Sequence, residues 1–330
     1  MKRAARVVLC LSCLLAGVPG QAGDALPTGT FSVILENDLF YDIDRHYTNG
    51  IGFVWIPDRS VGTPDWAEQL ARLVPWFPQE GEVRHGYAFG QSMFTPSDIT
   101  IADPPPGERP YAGWLYGTFG LGASNGRQLD LLALSVGMVG PASQAEQSQK
   151  FVHDLIGADE PMGWDTQLGD EPGFVLTYLR SWRGQPQPGP LGTRYDLTQH
   201  FGGAFGNVFT YLNTGLTLRV GQNLPRDFGP PRIQPGVFGS GEFVPTPGFS
   251  WYLFAAVEGR AVARNIFLDG NCCQSSRSVD REPLVGDLQF GLVLDWSDFR
   301  LSYTRVLRTR EFDSQDKNDD FGAVSLSVKF

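Results

Sequence analysis

The sequence predicts an all-β protein: a transmembrane, antiparallel, up-and-down β-barrel of about 12 strands, with a short helix in an extracellular loop. Segments of about ten residues alternate apolar and polar side chains along most of the chain. The last of these segments ends on an aromatic residue, Phe330, which resembles the assembly signal of outer-membrane barrels. The hydrophobic fraction of 42% is low for a globular domain and suits a wall in which only alternate residues meet lipid.

The N-terminal residues 1–23 have the pattern of a secretory signal peptide, which leaves residues 24–330 as one barrel domain. Lys2, Arg3 and Arg6 form a basic start, and the apolar stretch that follows is too short to span a bilayer as a helix. Cleavage would change the net charge from −10 to −13. Such an acidic chain is not expected to bind nucleic acid through a basic surface.

The alternation is clearest in the last segment, where Val324, Leu326 and Val328 alternate with Ser325 and Ser327. One face of such a strand can meet lipid while the other meets a polar lumen. Soluble β-sandwiches alternate in the same way, so the number of strands and the terminal aromatic residue favour the barrel. Strands are predicted at residues 30–40, 47–57, 84–94, 111–123, 127–140, 171–183, 191–203, 207–223, 248–267, 284–296, 298–310 and 320–330.

The even number of strands places both chain ends in the periplasm and decides which connections face outward. Two of the periplasmic connections, residues 58–83 and 224–247, are long for such turns, and we expect them to cover or plug that rim. The outward connections are predicted near residues 41–46, 95–110, 141–170, 204–206, 268–283 and 311–319.

One outward connection contains a helical pattern over residues 142–157. Ser143 and Glu146 have the spacing of a capping box, and Gly157 is a typical helix stop. His153 is expected at the edge of an apolar stripe formed by Phe151, Val152, Leu155 and Ile156. A histidine in this position is a candidate general base, although a structural histidine with satisfied hydrogen bonds is the more common case.

Oxygen-bearing side chains cluster at the outer ends of the first two strands. Asn37 and Asp38 lie near the outer end of the first strand, Thr48 lies at the start of the second, and Asp159 follows the helix. Carboxylate, amide and hydroxyl oxygens suit a hard cation such as Ca²⁺. The alternative is that these are ordinary polar residues at the rim of a barrel.

Six motifs, in order along nearly the whole mature chain, resemble the lipid A 3′-O-deacylase family. Each is weak alone, and together they are specific. They are Glu36-Asn37-Asp38, Tyr47-Thr48-Asn49-Gly50, Gln91-Ser92-Met93-Phe94-Thr95-Pro96, Arg109-Pro110-Tyr111-Ala112-Gly113-Trp114-Leu115, Gly140-Pro141 with Gln149 and His153, and Gly163-Trp164-Asp165 with Gln167.

The resemblance implies a twelve-stranded barrel in the outer membrane of a Gram-negative bacterium, with lipid A or lipopolysaccharide of the outer leaflet as substrate. It implies an active site between the outer barrel wall and a loop helix, and a mechanism that uses a histidine, a water molecule and Ca²⁺. We expect the protein to be a monomer.

The catalytic residues implied by the resemblance are His153, Asn37, Asp38 and Thr48. Its implied metal ligands are Asn37, Asp38 and Asp159, and its implied substrate contacts are Ser92 and Arg109. Asp159 stands where the family has a glutamate, so its carboxylate is one methylene shorter. A basic residue that the family uses after the third strand has no match here.

Two other functions remain open from the residues alone. One is a non-enzymatic porin or structural barrel. The other is a phospholipase-type lipid hydrolase, whose barrel members place a histidine and a serine two residues apart on a strand. His153 is followed by Asp154 and Leu155, and His200 by Phe201 and Gly202, so neither histidine has that partner.

Overall fold

The computed structural model describes residues 29–37, 46–78, 81–229 and 248–330. In these residues, twelve long strands pair with their chain neighbours in antiparallel register, β1 also pairs with β12, and the barrel closes. The predicted signal peptide lies outside the described residues. The strands are β1 (Gly29–Asn37), β2 (His46–Pro57), β3 (Glu82–Thr95), β4 (Ala112–Ser124), β5 (Gln128–Val139), β6 (Glu171–Arg183), β7 (Arg194–Gly206), β8 (Phe209–Gln222), β9 (Phe249–Asn265), β10 (Leu284–Trp296), β11 (Phe299–Arg308) and β12 (Asp319–Lys329).

Three short α-helices lie in the connections: α1 (Asp65–Arg72), α2 (Ala145–Ile156) and α3 (Ile266–Asp269). Single 3₁₀ turns occur at Arg59–Val61, Pro141–Ser143, Trp164–Thr166 and Pro190–Gly192, and Gln187–Pro188 forms a two-residue pairing with the start of β7. None of the helices in the described residues has the length and apolar character needed to cross a membrane.

The predicted strands are confirmed in the described residues, with one shift, and residues 38–40 of the first predicted strand lie outside them. β7 was expected at residues 191–203 and runs from Arg194 to Gly206, so the following turn is shorter than expected. Glycine is often found in turns, and Gly202, Gly203 and Gly206 lie near the end of this strand. Gly206 instead packs against β6, since a Cβ atom there would lie 2.0 Å from the carbonyl oxygen of Phe174. Here glycine permits close strand pairing at the last residue of the strand.

The barrel wall has its apolar residues outside, as the alternation predicts. On β8, Leu212 and Leu218 are 60% and 42% exposed, whereas Asn213 and Arg219 are buried. The polar face therefore lines the lumen and the apolar face is presented to lipid.

The outer half of the lumen is filled by an aromatic cluster contributed by strands on opposite sides of the barrel. Phe267 of α3 lies at its centre, with its ring stacked 4.0 Å from that of Phe94 and 5.4 Å from that of Phe209. Trp114 is fully buried in the same cluster. The extracellular end of the lumen is therefore packed like a protein core.

An ionic cluster fastens the connection after β8 inside the periplasmic end of the barrel. Asp227 is buried and pairs with Arg219 of β8 and Arg300 of β11. Burial works to raise the pKa of the Asp227 carboxyl, but the guanidinium groups of Arg300 and Arg219 outweigh it and hold that pKa below its ordinary value. The start of the segment predicted to plug this rim thus enters the barrel, while residues 230–247 lie outside the described residues.

The other long periplasmic connection covers the outside of the wall. Ala67 and Ala71 of α1 are buried against Leu121 and Ala123 of β4. The ring of Trp66 lies 5.2 Å from that of Phe119. The expectation of a rim cover is confirmed for this segment.

Candidate active site

The loop between β5 and β6 carries α2, which begins three residues later than predicted. Residues Pro141–Ser143 form a 3₁₀ turn, and Gln144 adopts a left-handed conformation with φ 58° at the helix start. The Ser143 hydroxyl donates to the carbonyl of Gly140 at 2.6 Å, and no side chain caps the helix. The predicted capping box is therefore wrong. The predicted stop is confirmed, because Gly157 ends the helix with φ 68°.

The start of α2 is clamped against the outer face of the barrel wall. The amide of Gln91 donates to the carbonyl of Ser143 at 2.6 Å. A Cβ atom at Gly113 of β4 would lie 2.1 Å from Ser143 Oγ and 2.2 Å from Ala145 Cβ. Gln91 is on the same side of β3 as the exposed Phe89, since side chains two residues apart share a face. The helix therefore lies on the lipid-facing side.

The helix divides its residues differently from the prediction. Its buried side consists of Ala145, Gln149, His153 and Ile156. Phe151 and Leu155 are 69% and 54% exposed. The prediction of one apolar stripe with His153 at its edge is thus wrong, since the apolar residues fall on two sides and His153 lies within the buried one. The 3.6-residue period accounts for this division.

His153 is 3% exposed, and its Nδ1 lies 2.5 Å from the backbone carbonyl oxygen of Asp159. A carbonyl oxygen can only accept a hydrogen bond, so Nδ1 carries the proton. In the neutral ring Nε2 is then the basic nitrogen. The hydrogen bond to Asp159 fixes the orientation of the ring, because Asp159 lies in the chain segment that follows the helix.

Gln149 lies one helical turn before His153. In the sequence it belongs to a family motif, but no role in the site was predicted for it. Its Oε1 accepts a hydrogen bond of 2.7 Å from the indole N–H of Trp164. Its Nε2 is buried and has no hydrogen-bond partner among the described atoms. The Trp164 ring packs 5.0 Å from that of Tyr111 and belongs with Met93 and Ala145 to one buried cluster. The four-residue spacing to His153 was the signal in the sequence that could have found Gln149.

Asn37 of β1 lies in the same row of paired residues across neighbouring strands as Gly113, which lies beneath α2. Asn37 pairs with Asn49, Asn49 with Met93, and Met93 with Gly113. Directly paired residues share a face, so Asn37 points to the lipid-facing side. Three strand spacings of about 4.8 Å separate Gly113 from Asn37, and a 12-residue helix is about 18 Å long. The helix is therefore long enough to reach the strand of Asn37.

Three other predicted residues are placed with less detail. Asp38 lies outside the described residues. Thr48 lies in β2 where the pairing with β3 shifts register between Tyr47 and Asn49, and its side chain is outside the described part of the structure. Asp159 contributes its carbonyl to His153, while its side chain is exposed.

The two predicted substrate contacts lie away from α2. Arg109 is fully buried, pairs with Glu311 at 3.5 Å, and has its guanidinium 5.0 Å from the centre of the Phe94 ring. Ser92 is buried and shares the lumen side of β3 with Phe94. The structure does not bring either side chain to the helix, so this placement does not favour the predicted contacts.

In the part of the chain that the structure describes, no group of three or more His, Cys, Asp or Glu residues could hold a metal ion. The donor set expected for Ca²⁺ is Asn37, Asp38 and Asp159. The amide of Asn37 offers the kind of oxygen donor that this cation takes. The side chain of Asp159 is exposed, and the backbone carbonyl of the same residue contacts His153. The chemistry of the donors fits the ion, and the ligand set stays a prediction.

The sequence matches the family described as outer membrane protein LpxR over residues 8–330. The chain belongs to the LpxR family. Among solved structures, LpxR from Salmonella typhimurium is similar with a TM-score of 0.73 at 18% identity, covering 91% of this chain and 100% of that one. This likeness shows the fold, a closed barrel of twelve antiparallel strands, and the family places the protein in the outer membrane. At the level of the family, the match supports a lipid A deacylase.

Two autotransporter barrels are more distant. The β domain of Bordetella BrkA has a TM-score of 0.43 at 9% identity, covering 92% of this chain and 99% of that one. The translocator domain of NalP from Neisseria meningitidis has a TM-score of 0.41 at 8% identity, covering 99% of this chain and 94% of that one. No curated protein matches the sequence.

Proposed function

We propose that this outer-membrane protein of the LpxR family hydrolyses the 3′-linked acyl or acyloxyacyl ester of lipid A. The observation that carries the proposal is the position of His153. It lies on the buried side of a loop helix that is clamped to the lipid-facing wall. A base in that position meets a lipid that approaches sideways from the outer leaflet.

The hydrogen bond to Asp159 defines what His153 can do. With Nδ1 donating to the carbonyl, Nε2 accepts a proton from water while the water oxygen attacks the ester carbonyl carbon. Nε2 then returns that proton to the oxygen of the leaving sugar alcohol as the carbon–oxygen bond breaks. Asp159 keeps the ring in place through its main chain during both transfers.

The buried amide of Gln149 supports substrate binding on the same side of the helix. Its Oε1 is occupied by Trp164, so the orientation of the amide is fixed. Its Nε2 has no partner among the described atoms and is a donor available to an ester or amide oxygen of the substrate. A preorganised donor of this kind is typical of sites that stabilise developing negative charge.

The residues proposed to hold Ca²⁺ are Asn37, Asp38 and Asp159, and Thr48 is proposed to act beside them. When bound, the ion supplies positive charge for the oxygen of the ester carbonyl. This chain's own part is to place oxygen donors at the outer end of β1, in the row that continues to Gly113 beneath α2.

The apolar surface next to the site suits acyl chains. Phe151 and Leu155 of α2 are exposed. Large apolar side chains are unfavourable in water, so their exposure indicates a surface that another apolar group covers. On β1, Phe31, Val33 and Leu35 share the outward face with Asn37. The polar groups of the site are therefore flanked by surfaces that hydrocarbon can cover.

The packed lumen speaks against the porin alternative. A diffusion channel needs an open path, and the outer half of this lumen is occupied by the cluster around Phe267. The phospholipase alternative requires a histidine and a serine two residues apart on a strand. Neither His153 nor His200 has such a serine.

The proposed function is tested by expressing the protein in a Gram-negative host that lacks this activity, followed by mass spectrometry of its lipid A. We expect a mass loss equal to the 3′-linked acyl group, and none with the empty vector. Unchanged lipid A from cells with folded barrel in the outer membrane would contradict the proposal. Loss of a chain from another position would correct the site of cleavage.

We predict that the activity requires Ca²⁺. In assays on purified lipid A, EDTA should abolish hydrolysis, and Ca²⁺ should restore it better than Mg²⁺ or Zn²⁺, because the proposed donors are oxygens without His or Cys. Full turnover in the presence of the chelator would remove the metal from the proposal and leave His153 with the amide of Gln149.

A further inference from the structure

A cavity of about 690 Å³ opens on the lipid-facing wall across β8, β9 and β10. Its floor is a row of small residues in which Gly259 pairs with Thr214 on one side and Gly286 on the other. Its sides are formed by Phe201, Leu212 and Leu284, which are 49%, 60% and 72% exposed. We call this cavity the β9 groove. It is an apolar groove in the lipid-facing wall.

The two glycines of the β9 groove are not required by the backbone. A Cβ atom at Gly259 would meet nothing within 4 Å, and one at Gly286 would lie 3.6 Å from the Thr309 methyl group. Neither has a positive φ among the described glycines. By contrast, a Cβ atom at Gly291, which lies on β10 like Gly286, would lie 1.9 Å from the carbonyl oxygen of Tyr303. The groove is therefore open because of residue choice, and a larger side chain would fit there.

The mouth of the β9 groove lies at the extracellular rim. Gly286 is near the start of β10, and Arg310 follows the end of β11. The Arg310 side chain is half exposed and lies 3.6 Å from Glu282, and Thr309 and Asn318 also line the mouth. A guanidinium has five N–H donors, so one long contact to a carboxylate leaves donors for an anionic headgroup.

We propose that the β9 groove binds an acyl chain of a second lipid A molecule, with its phosphorylated headgroup at Arg310. The protein lies in the outer membrane, so lipid of the outer leaflet covers this part of the wall. Lipid tails are as apolar as the wall, so apolar character alone does not favour the groove over the rest of the wall. A preference of a lipid for the groove comes from packing inside it and from polar contacts at its mouth. A lipid with several chains and a phosphorylated sugar headgroup supplies both.

The bound molecule is not a substrate at this position. The helix α2 packs against β3 and β4, half the circumference of a twelve-stranded barrel away from β9 and β10. The proposal depends on the membrane location and on lipid A binding, and it does not depend on hydrolysis.

The test counts lipid A molecules bound to the purified full barrel by native mass spectrometry, in a His153→Gln background in which turnover is expected to be slow. The groove is filled with Gly259→Leu and Gly286→Leu together. The matched control is Ala255→Leu, an outward, exposed position on β9 outside the groove. We expect the filled variant to bind one lipid A about fivefold more weakly, corresponding to roughly 1 kcal/mol, and the control to bind as the background does.

Arg310→Gln should weaken the same binding event for lipid A, and phosphatidylethanolamine should bind more weakly than lipid A. Equal lipid A binding by the filled and control variants would overturn the proposal. Equal binding of the two lipids, unaffected by Arg310→Gln, would overturn its choice of ligand. If the double leucine variant does not fold, Leu284→Ala removes one side of the groove and should give the same loss.

The outcome is independent of the proposed function. Failure of the wild-type protein to shorten lipid A would leave the count of bound lipid at the groove unchanged. Retention of hydrolysis with no difference between the filled and control variants would overturn the groove alone.

Discussion

The imidazole of His153 is held at Nδ1 by a main-chain carbonyl, and this decides its proposed chemistry. In the sequence, a satisfied structural histidine was the more common alternative. The structure shows that Nδ1 is satisfied by the carbonyl of Asp159, and a general base also needs its ring to be held in a fixed direction. The burial of His153 therefore does not distinguish a structural histidine from a general base. The activity of variants does.

We predict that His153→Gln lowers deacylation by about 10² to 10⁴-fold, the range of a lost general base, while the barrel still assembles. Glutamine keeps a donor near the carbonyl of Asp159, and the residue takes no part in strand pairing. The measurement is removal of the acyl chain from lipid A, with the heat-dependent gel mobility of the folded barrel as the control. Wild-type activity in this variant would remove His153 from the catalytic role.

The carboxylate of Asp159 is tested separately from its carbonyl. If the side chain holds the metal as proposed, Asp159→Asn should lower activity about 10 to 100-fold, as changes around metal sites do. Asp159→Glu should keep most of the activity, because it restores the family's side chain. Both variants retain the carbonyl that orients His153. Equal, wild-type activity in both would show that only the main chain of this residue matters.

Among the secondary-structure elements, α2 shows why the sequence predicted the helix but not its orientation. The 3.6-residue period and Gly157 predicted a helix over these residues. The period alone did not say which side faces the wall, because Gln149 and His153 are polar and the apolar residues fall on two sides. The buried side is selected by Gly113 and Gln91, which are far away in the chain.

We predict that Gly113→Ala inactivates the protein without preventing assembly of the barrel. The added methyl group would collide with Ser143 and Ala145, so α2 must move away from the wall, and a displacement of about 1 Å can cost 10²-fold in rate. The matched control is Gly117→Ala on the same strand and the same face, where a Cβ atom meets nothing within 4 Å. Both variants are assayed for lipid A deacylation and heat-dependent mobility. Equal activity of the two would show that contact with Gly113 does not position the helix.

For the whole barrel, the sequence predicted the strands well because the lipid imposes a two-residue period on every one of them. It predicted the packed lumen poorly. A lumen-facing residue in a barrel can be polar beside water or apolar beside other side chains, and alternation does not distinguish the two. Phe267, from a loop much later in the chain, packs against Phe94, Trp114 and Phe209. Contacts between residues so distant in sequence leave no local pattern.

This packing gives a prediction about transport. The wild-type barrel in a planar lipid bilayer should show no stable ion-conducting steps, because the Phe267 cluster closes the outer half of the lumen. Phe267→Ala removes the ring at its centre, a change that costs about 3 to 5 kcal/mol in a packed core, and should produce brief openings together with lower resistance to heat. The matched control is Phe205→Ala, since Phe205 is 66% exposed on the lipid-facing wall and lies outside the cluster. Steady conductance by the wild-type protein would contradict a closed lumen and favour the porin alternative over a lipid hydrolase.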